Sequence, residues 1–307
     1  MPAPVRRPLL RRLSAAVLLC LLIALPLAAH LLHWDDQLRL YWQERSTGAE
    51  QRAAGIWLPD YRLALERELP GLAGDETSGL TWNAPTGTLF TVTGQHPQLV
   101  ELATDGRILR RIRLDGVSDP EAVESLGDGR LAIVDERRRL LTVFPLPADD
   151  EPLDLAAWPQ YDLGFAEAGN KGFEGLAWEP RRQRLLLAKE RDPLGLFELP
   201  LPSGPSAAVS LAALPSAFLP MRDLSSLAID PRSGHLLLLS DESRLLLELD
   251  LDGQPRSFIA LRGGRHGLSA SIEQAEGVAM DDAGNIYLVG EPNRFYVLRK
   301  TAGTEPH

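Results

Sequence analysis

Short apolar runs separated by turn formers fill the chain from residue 61 to residue 300, and five of them align. They are "SGLTWNAPTGTLFTV" from Ser78, "EAVESLGDGRLAIV" from Glu121, "EGLAWEPRRQRLLLA" from Glu174, "SSLAIDPRSGHLLLL" from Ser225 and "EGVAMDDAGNIYLV" from Glu276, at intervals of 43, 53, 51 and 51 residues. Each unit holds a short strand, a turn such as G-D-G or D-A-G-N, and a second, mostly apolar strand. A third strand follows, as in "QLVELA", "LLTVFPL", "GLFELPL", "LLLELDL" and "FYVLRK". A fourth is readable in "ILRRIRLDG" and "SFIALRGG" and is weaker in "YDLGF" and "AAVSLAAL". Turn chemistry at this density between short strands predicts antiparallel sheet. A period in this range with four strands per unit predicts the blades of a β-propeller.

The fifth unit stops after "RFYVLRK" and lacks a fourth strand. "YRLALERELPG" at 61–71 has the pattern of the fourth-strand segments and is predicted to complete that blade. Pairing both ends of the domain in one blade removes the open edge that would invite aggregation. The expected fold is therefore all-β: a propeller of five four-stranded blades closed by an N-terminal strand. The loop around 145–170 leaves room for a sixth blade. A β-solenoid is the rival, but its repeat would be shorter and would not need the N-terminal strand.

A different pattern precedes the repeats. Arg6, Arg7, Arg11 and Arg12 lead into Leu13–Leu32, which carries no charged residue. About 20 residues suffice to cross a bilayer as a helix. A cleaved signal peptide has a shorter apolar region, about 7–15 residues, and ends in a small-x-small site; here Leu27 stands where a small residue is wanted. An uncleaved signal anchor is the expectation. The arginines keep the N-terminus in the cytoplasm, which puts the rest of the chain across the membrane, in the periplasm of a bacterium. The expected domains are 1–33, arginines and anchor; 34–60, a juxtamembrane stalk; 61–300, the propeller; and 301–307, a tail.

Composition narrows the partners. The only cysteine, Cys20, lies within the apolar segment, so no disulfide is expected. Without the four N-terminal arginines the chain has 28 basic and 42 acidic residues, a net charge of −14. Nucleic acid and anionic lipid surfaces are poor partners on that ground, and cations good ones.

The first strand of a propeller blade lines the central channel. Glu121, Glu174 and Glu276 hold one position in three units. Ser78 and Ser225 hold it in the other two, where an acid stands two residues earlier, Glu76 and Asp223. Residues two apart on a strand face the same way, so every unit aims one carboxylate at one axis. Such a ring raises the pKa of its members unless a cation or donors compensate. Calcium takes oxygen ligands in irregular geometry, and the alternative is that the acids accept backbone N–H bonds and join neighbouring blades. No imidazole or thiolate site is available, because His96, His235 and His266 share no ligand spacing. A second set follows the second strands and is expected at the channel mouth: Asp135, Glu190, Asp241 and Glu291, with Glu136 and Glu242 beside two of them. Arg137, Arg191, Arg244 and Arg294 stand nearby, so salt bridges compete with ligation.

"GVSDPEAVESLGDGRLAIVDERR", "KGFEGLAW", "LSDESRLLLEL" and "QAEGVAMDDAGNIYLVGEPNRFY" resemble the SdiA-regulated family, also called the YjiK/CarP family, over about residues 65–300. The resemblance implies a bacterial inner-membrane-anchored propeller with its domain in the periplasm, and its CarP branch implies a link to calcium homeostasis. No catalytic residues carry over.

Three functions are consistent with these residues. The first is a non-enzymatic calcium-binding propeller that senses the ion or offers a calcium-dependent platform to a protein or small-molecule partner. The second is a calcium-dependent hydrolase, of lactonase, esterase or phytase type, in which the metal activates water and His96 or His266 serves as base. The third is a metal-free protein-binding scaffold. No G-x-S-x-G, P-loop or H-E-x-x-H motif is present to favour the second.

Overall fold

The structure, a computed structural model, describes residues 17–25, 28, 34–165, 171–201, 209–215 and 219–301. Among the described residues twenty-one strands form five sheets arranged as the blades of a propeller. The chain first lays down β1 (Tyr61–Glu68). Blade 1 follows with β2 (Thr77–Asn83), β3 (Thr88–Thr93), β4 (Gln98–Leu102) and β5 (Ile108–Asp115). Blade 2 is β6 (Pro120–Ser125), β7 (Arg130–Asp135) and β8 (Leu140–Pro145), completed across a loop by β10 (Gln160–Asp162). That loop carries β9 (Leu153–Asp154), which pairs parallel with β5 as a fifth strand of blade 1. Residues 145–165 thus edge two existing blades and build no sixth. Blade 3 is β11 (Phe173–Glu179), β12 (Arg184–Lys189), β13 (Gly195–Pro200) and the two-residue β14 (Ala212–Ala213). Blade 4 is β15 (Ser226–Ile229), β16 (Leu236–Ser240), β17 (Leu245–Leu249) and β18 (Pro255–Ala260). Blade 5 is β19 (Ala275–Met280), β20 (Ile286–Gly290) and β21 (Arg294–Lys300), with β1 antiparallel to β21 as its outer strand.

The closure read from 61–71 is the one observed, from Tyr61 opposite Lys300 to Glu68 opposite Arg294. The reason lies in packing. Each blade is sandwiched between two others, so its middle strands bury both faces and lose the alternation of a half-exposed sheet. In β16, "LLLLS", every residue but Leu236 is buried. Five apolar clusters fill the five wedges between blades. An open blade 5 would leave Tyr296 and Leu298, now under β1, exposed at an unpaired edge.

The inner strands β2, β6, β11, β15 and β19 each contact the next around the axis. Crowding there explains the glycine that follows Glu174 and Glu276. A Cβ on Gly175 would stand 2.6 Å from the Ala188 Cβ, and one on Gly277 would stand 2.5 Å from Val289 Cγ2.

Residues 34–60 fold against the outside of blade 4. Helix α1 (Trp34–Ser46) and helix α2 (Ala49–Ala54) lead to a turn at Leu58–Asp60. Leu40 of α1 is buried in the wedge between blades 3 and 4, Glu44 accepts the Phe258 N–H at 2.8 Å, and Gln43 Nε2 donates to the Pro255 carbonyl at 2.6 Å. Glu248, 1% exposed on β17, accepts the main-chain N–H groups of Ile56 and Trp57 at 2.8 and 3.0 Å. Among the described residues no helix is long and apolar enough to cross a membrane. Residues 17–25 of the expected anchor are helical and their side chains are exposed; most of the rest of Leu13–Leu32 lies outside the described residues.

Candidate metal centre

One main-chain bond recurs at the end of the channel where the inner strands begin. The residue after the second strand donates its N–H to the residue that stands two before the shared Glu/Ser position. It runs from Gly94 to Glu76 at 3.0 Å, and from Glu136 to Asp119, Glu190 to Gly172 and Glu291 to Gln274 at 2.9 Å each. This lock brings three positions of each such blade to one place, whatever side chains they carry.

The glutamates of the inner strands sit on β-bulges. The ladder passes from Pro120 to Ala122, from Phe173 to Gly175 and from Ala275 to Gly277, leaving Glu121, Glu174 and Glu276 out of the pairing. A bulge re-aims the extra residue, and here all three acids turn into the channel. They meet Glu136, Glu190, Asp223, Asp241 and Glu291 around a cavity of about 160 Å³. Among the described residues Arg191 is the single basic one in its wall.

Some of these acids have protein partners. Glu136 accepts the Gly172 N–H at 2.7 Å, joining blades 2 and 3. Asp223 accepts the Ser240 hydroxyl and the Glu242 N–H, and Glu291 accepts Gln274 Nε2 at 2.8 Å. Arg191 bridges Glu190 and Glu242. Among the described residues no donor bonds the Glu174 or Glu276 carboxyl, and only burial and neighbouring acids act on them. Burial raises every one of these carboxyls, and the neighbouring acids add to it. Glu121 is pushed up to about 8, with Asp119 and Glu136 reinforcing burial, while the Ser78 hydroxyl opposes them. Burial, then Asp241 and Glu291, push Glu276 up to about 9. Glu174 lies well above the ordinary range, through burial and then Glu190 and Glu276. Glu136, Glu190, Asp223, Asp241 and Glu291 shift the same way, with burial the largest cause for each.

Oxygen atoms of Glu136, Glu174 and Glu190 lie within 4.8 Å of one another, as do those of Asp119, Glu121 and Glu136. Ligand oxygens about 2.3–2.6 Å from a calcium ion can stand that far apart across it. The donor set is oxygen only. His96 pairs with Asp75 at 2.6 Å, His235 with Glu248 at 2.7 Å, and His266 with the Tyr61 carbonyl at 3.0 Å; none lines the cavity. The residues present suit a hard cation.

Four of the five inner-strand acids, Glu121, Glu174, Asp223 and Glu276, line the cavity, and so do Glu190, Asp241 and Glu291 of the second set. Two do not. Glu76 sits at φ 51° on the turn before β2 and accepts Gln95 Nε2 at 2.9 Å; in blade 1 the position after the second strand is Gly94, so no second acid draws the site toward it. Asp135 ends β7 and turns the other way, accepting the Ser118 and Arg138 N–H groups at 2.8 and 3.0 Å. Its neighbour Glu136 takes the channel place. Counting from the last residue of each second strand aligns Glu136 with Glu190, Asp241 and Glu291, and that register would have selected it. Asp119, which stands where blade 1 has Glu76, was also missed.

The fold resembles solved propellers at low identity. A glutaminyl cyclase from Myxococcus xanthus matches with a TM-score of 0.57 and 18% identity over 78% of this chain and 95% of that one. A gluconolactonase from Xanthomonas campestris matches with a TM-score of 0.49 and 17% identity over 82% and 93%. The likeness to the glutaminyl cyclase concerns the fold alone. The sequence itself is more specific: the model of the SdiA-regulated family matches residues 53–299, the whole propeller with its closing strand, and the chain belongs to that family.

Proposed function

We propose that the protein is a membrane-anchored, periplasmic propeller that binds calcium at the acidic channel mouth and serves calcium homeostasis or signalling as a sensor or an interaction platform. The observation that carries this reading is Glu174. It is an inward-facing carboxylate without a hydrogen-bond donor, in a small cavity whose wall holds eight acids and one arginine. A divalent cation would relieve both the mutual repulsion and the lost hydration of such a group. Glu136, Glu174 and Glu190 would hold it, with Glu121 and Glu276 beside them. Calcium suits the site better than magnesium, which demands a near-ideal octahedron and keeps its waters.

The anchor rests on Leu13–Leu32 and the four arginines before it. Helix α1 supports it. Its docked side carries Leu40, Gln43 and Glu44, while Leu38, Tyr41, Trp42 and Arg45, spaced i, i+3, i+4 and i+7, share the opposite face. Leu38, Tyr41 and Trp42 are 57%, 43% and 62% exposed, and Arg45 lies over the Tyr41 ring. Aromatic and basic side chains close to an apolar span favour the membrane interface.

The histidines expected to serve as base in a hydrolase, His96 and His266, do not line the cavity, so an enzyme built on the same ion would have to draw its base from the wall carboxyls that hold the ion. Binding is therefore the reading the geometry favours. Calorimetric titration of the full-length chain with calcium tests it, repeated on Glu174→Gln. One site lost in the variant supports the reading, and no heat with no change in melting temperature refutes it.

A further inference from the structure

The inner strands run from the acidic mouth to a second opening at the far end of the channel. There they enclose a funnel of about 450 Å³, within the usual size range of small-molecule sites. Trp82, Trp178 and Met280 form its walls, with Leu251 at the rim, 67% exposed. Glu124 lies deep in it, between the blades. Its carboxyl accepts the Thr81 hydroxyl of blade 1 at 2.8 Å and the Trp178 N–H of blade 3 at 3.0 Å.

The polar groups of the funnel are mostly acids. Asp128, Glu179 and Asp230 are each paired with an arginine, Arg130, Arg184 and Arg232. Asp282 is not; it is exposed, and among the described residues it accepts only Trp82 Nε1, at 3.3 Å. Arg181 is the one basic residue in the lining and sits on an exposed turn. Aromatic side chains beside a carboxyl that no arginine pairs with, as at Asp282, attract cations that carry an apolar body.

We propose that this funnel binds a small organic cation of the protonated- or quaternary-amine class, its apolar body against Trp82 and Trp178 and its charge toward Glu124 and Asp282. Burial pushes the Glu124 carboxyl up to about 8, so an arriving cation would displace its proton and bind more tightly as pH rises through that value. The site is separate from the acidic mouth and stands whether or not the mouth holds calcium.

Saturation-transfer NMR titrations of the full-length chain in lipid nanodiscs, with benzylamine, benzyl alcohol and benzoate at neutral pH and saturating calcium, test the assignment. Benzylamine is expected to bind about tenfold more tightly than the other two. Asp282→Asn, whose amide oxygen can still accept Trp82 Nε1, should weaken benzylamine about threefold and leave benzyl alcohol unchanged. Trp178→Leu should weaken both, with melting temperatures checking the fold of each variant. Equal affinity for the three probes, tighter binding of benzoate or binding of none would overturn the proposal. So would benzylamine binding that survives both substitutions but is lost in Glu174→Gln, which would place the cation at the mouth.

Discussion

The Ser78 hydroxyl donates to the main-chain carbonyl of Glu121, 2.9 Å away in the next blade. Ser225 does the same to the carbonyl of Ala275, beside Glu276, at 2.6 Å. The two blades that carry serine in place of the channel glutamate thus use that position to latch the next blade. Three acids remain to face the channel at this position. Removing a latch leaves a buried carbonyl without its donor, so Ser225→Ala should lower stability by about 1 kcal/mol without altering calcium affinity. Urea unfolding with a parallel calcium titration checks both halves; a large loss of affinity would mean the serine acts on the site.

Carboxyls raised in the folded state set the pH dependence of the metal-free protein. From an ordinary value of 4.5, Glu121 rises to about 8 and Glu276 to about 9. Between those limits the folded state holds protons that the unfolded state has released, so stability falls as pH rises from about 4.5 to about 9. Thermal melts in a chelator should show a falling melting temperature over that window, and excess calcium should flatten it. A melting temperature that rises with pH in chelator would contradict the charge assignment.

Neutralising one acid should help when no ion is present. Glu174→Gln removes a carboxyl that burial and then Glu190, Glu276 and Glu121 hold well above its ordinary range, and with it the proton that the unfolded chain would release. In chelator at pH 8 the variant should be more stable than the parent. In calcium the order should reverse. Denaturant titrations in the two buffers measure the crossover.

Glu248 behaves in the opposite sense. Burial alone would raise its carboxyl, but hydrogen bonds from His235, Ser257 and Ile56 outweigh burial and hold it below the usual range. Its stabilisation is present above pH about 4.5 and is lost as pH falls below that value. Glu248→Ala removes the group that caps Ile56 and Trp57 and should cost about 3 kcal/mol. Hydrogen exchange should speed up in α1 and around Ile56 while β16 and β20 stay protected. Unchanged exchange in α1 would show that Leu40 and Glu44 hold the segment unaided.

Much of this architecture was legible because a propeller repeats its grammar. The turn and strand pattern identified the blades, and the missing fourth strand after "RFYVLRK" pointed to 61–71. The channel position of Glu121, Glu174 and Glu276 followed from alignment alone. What escaped depended on register within a turn. Asp135 and Glu136 are adjacent and both acidic, and only the hydrogen bonds of the folded loop decide which faces the channel. The docking of 34–60 was hidden for a related reason: α1 buries Leu40 among polar neighbours and is held by side-chain bonds to a strand more than 200 residues away. Such contacts leave no periodic trace.

In the proposed complex a calcium ion sits among Glu136, Glu174 and Glu190. A crystal grown with calcium, with diffraction recorded where the ion scatters anomalously, tests it directly. One anomalous peak is expected in the channel mouth, with carboxylate oxygens of these residues about 2.3–2.6 Å from it. A mouth with no peak at millimolar calcium, its carboxyls sharing protons across short O–H···O contacts instead, would contradict it.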